Sequence, residues 1–194
     1  MTTSLVFNSG CQLLEGPIFD KENKHLYFVS ILNYLVYFYN PGTNEILSVK
    51  LDSPVGCVFL SSFKKVIAAT KNGLFEVDFK NLQTKFIYKI DIPSNVRFND
   101  GIKDEKGRFI LGTMGYPKAV ENIGQVFSYQ KKNHTTLIHN TTISNGLAFS
   151  LDNKFLYFID TPTKKVAKYR YQMQTGKIFF ESYVIEFVQQ GSPD

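Results

Sequence analysis

Short runs rich in Phe, Tyr, Val and Ile alternate with clusters of turn-forming residues along most of the chain. Helical periodicity is nearly absent. This alternation predicts an all-β chain built from hairpins. The apolar runs include HLYFVS (25–30), KVIAAT (65–70), RFILGT (108–113) and KFLYFID (154–160), and the turn clusters include NPGTNE (40–45), KDEKG (103–107) and SLDNK (150–154).

The apolar runs repeat at a regular spacing. Each follows one of four glycines, Gly16, Gly56, Gly101 and Gly146, which are 40, 45 and 45 residues apart. A period of this length with about four strands per unit is typical of a β-propeller. We therefore expect a single propeller domain over 1–194, preceded by an extra strand near Ser4–Asn8, with four-stranded blades at about 15–52, 55–92, 97–140 and 145–188.

Four repeats are at the low end for a closed propeller ring. The fifth repeat glycine would fall just past Asp194. We therefore expect a C-terminally incomplete propeller, whose first and last blades leave apolar surface uncovered. Self-association through those uncovered faces is a further expectation.

The residue before each repeat glycine carries candidate chemistry. These positions are Glu15, Val55, Asp100, Asn145 and, at the end of the chain, Asp194. The first strand of each propeller blade lines the central channel, so four oxygen donors would converge there. Facing carboxylates repel each other, and a bound cation relieves that repulsion. Mixed carboxylate and amide oxygens suit a hard divalent ion, with Ca²⁺ as the expected ion and Mg²⁺ or Mn²⁺ as alternatives.

Composition narrows the class of partner. The net charge is +5, but it comes from dispersed lysines with only three arginines, which argues against a nucleic-acid partner. Two cysteines, Cys11 and Cys57, are too few for a thiolate cage, and His134 and His139 in a turn-like stretch are a weak alternative pair of zinc ligands. No secretory signal or membrane span is evident, so we expect a cytoplasmic protein that does not bind membranes.

Four segments resemble a known family. LLEGPIFD (13–20), RFNDGIKDEKGRFILGTM (97–114), ISNGLAFSLDNKFLYFID (143–160) and the closing SPD (192–194) are similar, in order and spacing, to the signatures of the regucalcin/gluconolactonase family. This family is also called senescence marker protein and luciferin-regenerating-enzyme-like. The resemblance covers nearly the whole chain. It implies a six-bladed propeller in the full-length family, with one catalytic divalent cation in the channel, Zn²⁺ being a further candidate.

The resemblance also implies roles for individual residues. Glu15, Asn145 and Asp194 match the metal ligands. Arg97 and Asn99 match the substrate-binding residues, and in distant relatives the position of Asn99 also reaches the metal. One departure concerns sugar preference, because Tyr116 and Pro117 stand where animal members often carry a substrate-contacting Glu.

The function implied is hydrolysis of a small-molecule sugar lactone, in which water activated by the ion attacks the lactone carbonyl. Asp194 is expected to take the proton, with Asp100 as the alternative base. Two other hypotheses remain open, a non-catalytic calcium-binding propeller and a truncated, inactive homologue. The sequence contains no G-x-S-x-G, C-x-x-C or phosphate-binding glycine motif that would favour another chemistry.

Overall fold

The computed structural model describes residues 4–131, 133–188 and 191–194, which form sixteen strands and one 3₁₀ turn. The turn is Thr161–Thr163. The strands are β1 (Leu14–Asp20), β2 (His25–Ser30), β3 (Leu35–Asn40), β4 (Glu45–Lys50), β5 (Val55–Ser62), β6 (Lys65–Thr70), β7 (Gly73–Asp78), β8 (Gln83–Tyr88), β9 (Val96–Lys103), β10 (Phe109–Gly115), β11 (Gly124–Gln130), β12 (Asn133–Thr141), β13 (Ser144–Phe149), β14 (Phe155–Asp160), β15 (Lys165–Gln172) and β16 (Lys177–Glu186).

The strands form four antiparallel sheets of four, each connected in sequence order, in a propeller arrangement. We call the sheets blades 1 to 4, which contain β1–β4, β5–β8, β9–β12 and β13–β16. The first strands of successive blades contact each other, β1 with β5, β5 with β9 and β9 with β13. The all-β propeller predicted from the repeat is therefore confirmed. Among the described residues, no helix is long and apolar enough to cross a membrane.

Three apolar cores lie between successive blades. Tyr27 and Val29 of blade 1 pack against Val58 of blade 2. Equivalent clusters join blade 2 to blade 3 and blade 3 to blade 4. Because both faces of an inner blade are covered, its strands are apolar on both alternating sets of positions rather than on one. The outer strand β16 is exposed along most of its length.

The first strand of each blade contains a β-bulge near the repeat glycine. In blade 1 the register shifts between Glu15 and Ile18, and in blade 4 it shifts between Asn145 and Ala148. Gly16 and Gly146, which follow these polar residues, both have φ of +56°, which other residues adopt only with strain. A bulge bends the strand and redirects side chains. The bulges therefore set where the residues at the strand entrances point.

Two local expectations are wrong. Residues 4–8 form no strand, and Phe7 packs instead on the rings of Phe28 and Tyr37 on the outer face of blade 1. His134 and His139 lie in strand β12 rather than in a turn. The limits of the single domain and self-association of the chain stay predictions.

Candidate functional site

Five of the six predicted site residues line one cavity, and Arg97 is the exception. A cavity of about 580 Å³ is lined by residues from the first strands of blades 1 to 4 and by the end of the chain. The polar residues lining it are Glu15 from β1, Asn99 and Asp100 from β9, Asn145 from β13, and Asp194. Val55, the apolar member of the predicted ring, does not line it. Side chains from residue 15 to residue 194 are therefore brought to one place.

A chain of hydrogen bonds joins Arg97, Asn99 and Asn145. Arg97 Nη1 donates to Asn99 Oδ1 at 2.8 Å and to the carbonyl oxygen of Phe98 at 2.8 Å. Asn99 Nδ2 donates to Asn145 Oδ1 at 2.5 Å and to the Ser144 carbonyl at 3.1 Å. Because a guanidinium only donates, it fixes the direction of the Asn99 amide, and that amide in turn contacts the oxygen of Asn145.

Asp100 connects blade 3 to blade 4 through backbone groups. Its Oδ1 accepts from the Gly101 N–H at 2.7 Å, and its Oδ2 accepts from the Leu147 N–H at 2.9 Å. Burial raises the pKa of this carboxyl, the two N–H groups oppose that effect, and the charge of Asp194 adds to it. Each oxygen of Asp100 is thus already engaged.

The strand pairing in blade 3 differs from what the alignment of the repeat glycines predicts. Glu15 and Asn145 are paired across their ladders, with Val29 and Ile159. In β9 the ladder pairs Phe98 with Thr113 and Gly101 with Leu111, so both Asn99 and Asp100 lie within the bulge. Asp100 is therefore not the structural equivalent of Glu15, and Asn99 enters the cavity beside it.

Glu15 lies in a negatively charged environment. Burial raises the pKa of its carboxyl, and the charges of Asp194 and Asp100 raise it further, while Arg97 lowers it. Two carboxylates thus raise the pKa of Glu15 and one guanidinium lowers it. This imbalance favours a bound cation.

Arg97 is a buried cation with few partners. It is 5% exposed, and burial lowers its pKa to about 10, against the opposing charges of Tyr116 and Glu15. The structure shows no carboxylate within 4.0 Å of its guanidinium in the described part of the chain. Tyr116 belongs to the β10–β11 connection, and its hydroxyl lies 3.3 Å from that of Tyr34 in the β2–β3 turn.

The donor set fits a hard divalent cation. Glu15 and Asp194 offer carboxylate oxygens and Asn145 offers an amide oxygen, which is the ligand chemistry that Ca²⁺ and Mg²⁺ prefer, whereas the Asn99 oxygen accepts from Arg97. Over the described residues, no three His, Cys, Asp or Glu side chains are close enough to hold a metal by themselves. A cation at this site would therefore depend on the amide oxygen of Asn145 as well.

Sequence reasoning missed two residues at or near the cavity. Cys57 lines it, and burial raises the pKa of its thiol well above the ordinary value, so it stays protonated at neutral pH. Thr161 bonds to Asn145 from outside the cavity. No sequence signal could identify Thr161, because its partners are 16 and 32 residues away.

Comparison with known proteins gives one consistent result. The family model described as the SMP-30/Gluconolactonase/LRE-like region matches residues 13–194. Regucalcin from Xenopus laevis is 34% identical over 188 residues, covering 93% of this chain and 62% of the relative. The Bacillus subtilis protein YvrE, provisionally named a sugar lactone lactonase, is 30% identical with the same two coverages of 93% and 62%.

Solved structures show the same likeness. A luciferin-regenerating enzyme superposes with a TM-score of 0.86 at 24% identity, covering 95% of this chain and 65% of that one. A regucalcin from Agrobacterium tumefaciens, described as a calcium-binding protein, has a TM-score of 0.79 at 26% identity, with coverages of 87% and 57%. This chain thus spans roughly three fifths of the length of these relatives.

Proposed function

The chain belongs to the SMP-30/Gluconolactonase/LRE-like family, and on that premise we propose that it hydrolyses sugar lactones with the help of a bound divalent cation. One observation carries the proposal. Glu15, Asn99, Asn145 and Asp194 come from separate parts of the chain and line one cavity. That cavity is of the size that small-molecule sites in proteins occupy, about 300–1,000 Å³.

Glu15, Asn145 and Asp194 would hold the ion, with Asn99 beside them. We propose Ca²⁺ as the ion, because all the donors are oxygens. When bound, a divalent cation polarises a carbonyl oxygen and lowers the pKa of water. The carboxylates would supply the charge that attracts it, and its binding would offset the burial and the repulsion by Asp194 and Asp100 that raise the pKa of Glu15.

Arg97 and Asn99 would orient the substrate. The guanidinium is a planar fork of donors, suited to the hydroxyl and carbonyl oxygens of a sugar lactone. Nη1 of Arg97 donates to Phe98 and Asn99, and its other nitrogens would donate to substrate if the substrate reached past Asn99, which lines the cavity while Arg97 does not. Asn99, held between Arg97 and Asn145, would keep the sugar ring of the substrate next to the residues that bind the ion.

Asp194 would take the proton in the reaction. The oxygen of water adds to the carbonyl carbon, the ring carbon–oxygen bond breaks, and the proton passes through Asp194 to the leaving ring oxygen. The product is the open-chain acid. Asp100, the alternative base, is less suited to this role because both its oxygens accept backbone N–H bonds. We assign it to holding β9 against β13.

The direct test follows acid release from glucono-1,5-lactone with Ca²⁺, Mn²⁺, Zn²⁺ or Mg²⁺, corrected for spontaneous hydrolysis. We expect ion-dependent turnover, lost by at least about 100-fold in Glu15→Gln, because this variant removes a charged ligand. Glu22→Gln is the matched control, since Glu22 is exposed in the β1–β2 turn. It should keep full activity.

The test also separates the alternatives. No turnover with any of the four ions refutes the lactonase proposal. Thermal stabilisation by Ca²⁺ without hydrolysis indicates a non-catalytic calcium-binding propeller. The absence of both stabilisation and hydrolysis indicates an inactive homologue.

A further inference from the structure

One hydroxyl connects two of the proposed ligands. Asn145 Nδ2 donates to Thr161 Oγ1 at 2.9 Å, and Thr161 Oγ1 donates to the carbonyl oxygen of Pro193 at 3.0 Å. The Thr161 backbone is fixed as well. Its N–H donates to the Ile143 carbonyl at 3.1 Å, and its own carbonyl accepts from the Lys164 N–H at 3.2 Å. These hydrogen bonds thus fix the backbone position of Thr161 at the start of the 3₁₀ turn.

The direction of these bonds determines how Asn145 is oriented. A hydroxyl has one proton, and Thr161 gives it to Pro193, so towards Asn145 it can only accept. The amide nitrogen of Asn145 therefore faces Thr161, and its oxygen faces Asn99 Nδ2. The reverse orientation would place two N–H groups against each other. The amide oxygen, which is the group that binds a hard cation, is thereby held on the cavity side.

The same hydroxyl fixes the end of the described chain. Within the described part of the molecule, the bond from Thr161 is the one hydrogen bond made by residues 191–194. Asp194 follows Pro193 directly and lines the cavity with Glu15. The Thr161 hydroxyl therefore anchors the backbone of Pro193, the residue before Asp194. Thr161 itself does not line the cavity.

We propose that Thr161 is a positioning residue that couples Asn145 and Asp194 at the cation site. This inference rests on the proposed function, because it concerns ligands of the ion assigned there. Thr161 contacts neither ion nor substrate. Its hydroxyl holds Asn145 by accepting and the backbone next to Asp194 by donating, so its loss disturbs both ligands at once. Residues that orient ligands in this way typically contribute about 10- to 100-fold to metal affinity or activity.

The test compares variants at two threonines of the same turn. Thr161→Val keeps the side-chain shape and removes both hydrogen bonds, whereas Thr161→Ser keeps the hydroxyl. Thr163→Val is the matched control, because the Thr163 hydroxyl donates to the Asp160 carbonyl at 2.7 Å and is exposed. Thr161→Ala is measured alongside and carries the test if the valine variant does not fold. Ca²⁺ affinity is measured by calorimetry, and kcat and KM are measured with glucono-1,5-lactone.

We expect Ca²⁺ affinity to fall about 10-fold or more in Thr161→Val, and to stay within about threefold of wild type in Thr161→Ser and Thr163→Val. We expect kcat to fall in the valine variant with little change in KM, because Thr161 does not touch substrate. Wild-type Ca²⁺ affinity in Thr161→Val, or equal losses in the valine and serine variants, would overturn the assignment. A wild-type protein that binds none of the four ions would refute the proposed function itself, which is a separate result. Binding without turnover would leave Thr161 as a positioning residue of a binding protein.

Discussion

The hydroxyl of Tyr34 lies 3.3 Å from the hydroxyl of Tyr116, which joins blade 1 to blade 3 across 82 residues of sequence. Tyr34 belongs to the β2–β3 turn and Tyr116 to the β10–β11 connection, and Arg97 is close enough to influence the charge of Tyr116. The bond to Tyr34 is the main cause that raises the pKa of Tyr116. The two phenols therefore form a bridge between the blades near the candidate substrate-binding residues.

This bridge can be tested by titration. In Tyr34→Phe we expect the pKa of Tyr116 to fall towards its ordinary value near 10.0, because the main raising cause is removed. Labelled tyrosine Cζ resonances followed by NMR against pH would show it. Tyr39→Phe is the control, since the Tyr39 hydroxyl bonds to Asn44 at an exposed position. An unchanged Tyr116 titration in Tyr34→Phe would mean that the bond does not form in solution.

A buried ion pair between β9 and β10 of blade 3 is bonded to blade 4 through Tyr171. Arg108 Nε donates to Asp104 Oδ2 at 2.7 Å, and the Tyr171 hydroxyl donates to the same oxygen at 2.6 Å. The Asp104 side chain is 0% exposed. We expect Arg108→Met to lower the free energy of unfolding by about 3–5 kcal/mol, because it leaves a buried carboxylate without its cation.

The control for this pair is an exposed one. Lys154 Nζ lies 3.2 Å from Asp152 Oδ2, and both side chains are largely in water. Lys154→Met should cost less than about 1 kcal/mol. Urea unfolding of both variants measures the difference. Equal, small losses would show that the Arg108 pair contributes no more than a surface pair.

The close approach of β5 and β9 depends on Gly56. A Cβ at this position would lie 2.5 Å from the backbone carbon of Phe98 and 2.6 Å from its oxygen. We expect Gly56→Ala to destabilise the protein by about 1–3 kcal/mol or more, because backbone atoms cannot move aside as a side chain can. Gly42→Ala, whose nearest atom would be Asn40 Oδ1 at 3.3 Å, serves as control and should change stability little. Thermal unfolding of both variants gives the comparison, and an unchanged Gly56→Ala melting temperature would contradict the packing of these strands.

In the absence of a cation, the charge of Glu15 should destabilise the folded protein. Its folded-state pKa is raised, so at neutral pH its charge destabilises the folded state, and this penalty disappears below the unfolded pKa near 4.5. Glu15→Gln should therefore raise the melting temperature of the cation-free protein at pH 7.5, and the gain should vanish below about pH 4, where Glu15 is protonated in both states. Calorimetric scans across this pH range, with Glu22→Gln as control, provide the measurement. A lower melting temperature for Glu15→Gln at pH 7.5 would show that the charge is already compensated.

Arg97 should not be replaceable by lysine. A single ammonium cannot reproduce the planar fork that donates to Asn99 and, in the proposed function, to substrate. We expect Arg97→Lys to raise KM for a lactone about 10-fold, equivalent to about 1.4 kcal/mol. Arg170→Lys, at an exposed position of β15, is the control. Unchanged kinetics in Arg97→Lys would exclude a substrate-binding role that needs the guanidinium.

Much of the fold could be predicted because its signals are local and periodic. Strand and turn patterns recur with the repeat glycines, and the four sheets follow from them. The prediction of a strand at Ser4–Asn8 was wrong because an apolar stretch such as LVF also suits packing, and Phe7 lies on Phe28 and Tyr37 instead. The assignment of equivalent positions among the blades was a further error. A bulge displaces a strand by one residue, and the position of that bulge in β9 separates Asp100 from the pattern of Glu15 and Asn145.

By itself, then, the sequence determined the four-stranded repeat and the oxygen-bearing residues at the strand entrances, because side-chain periodicity and glycine spacing are written along the chain. Only the tertiary structure decided that Asn99 lies between Arg97 and Asn145, and that Thr161 holds Asn145 and Pro193. These contacts depend on the direction of a donor proton and on a separation of a few ångströms between blades. Residue type and distance along the chain encode neither the direction of the proton nor this separation. Both are therefore known only from the packing of the blades.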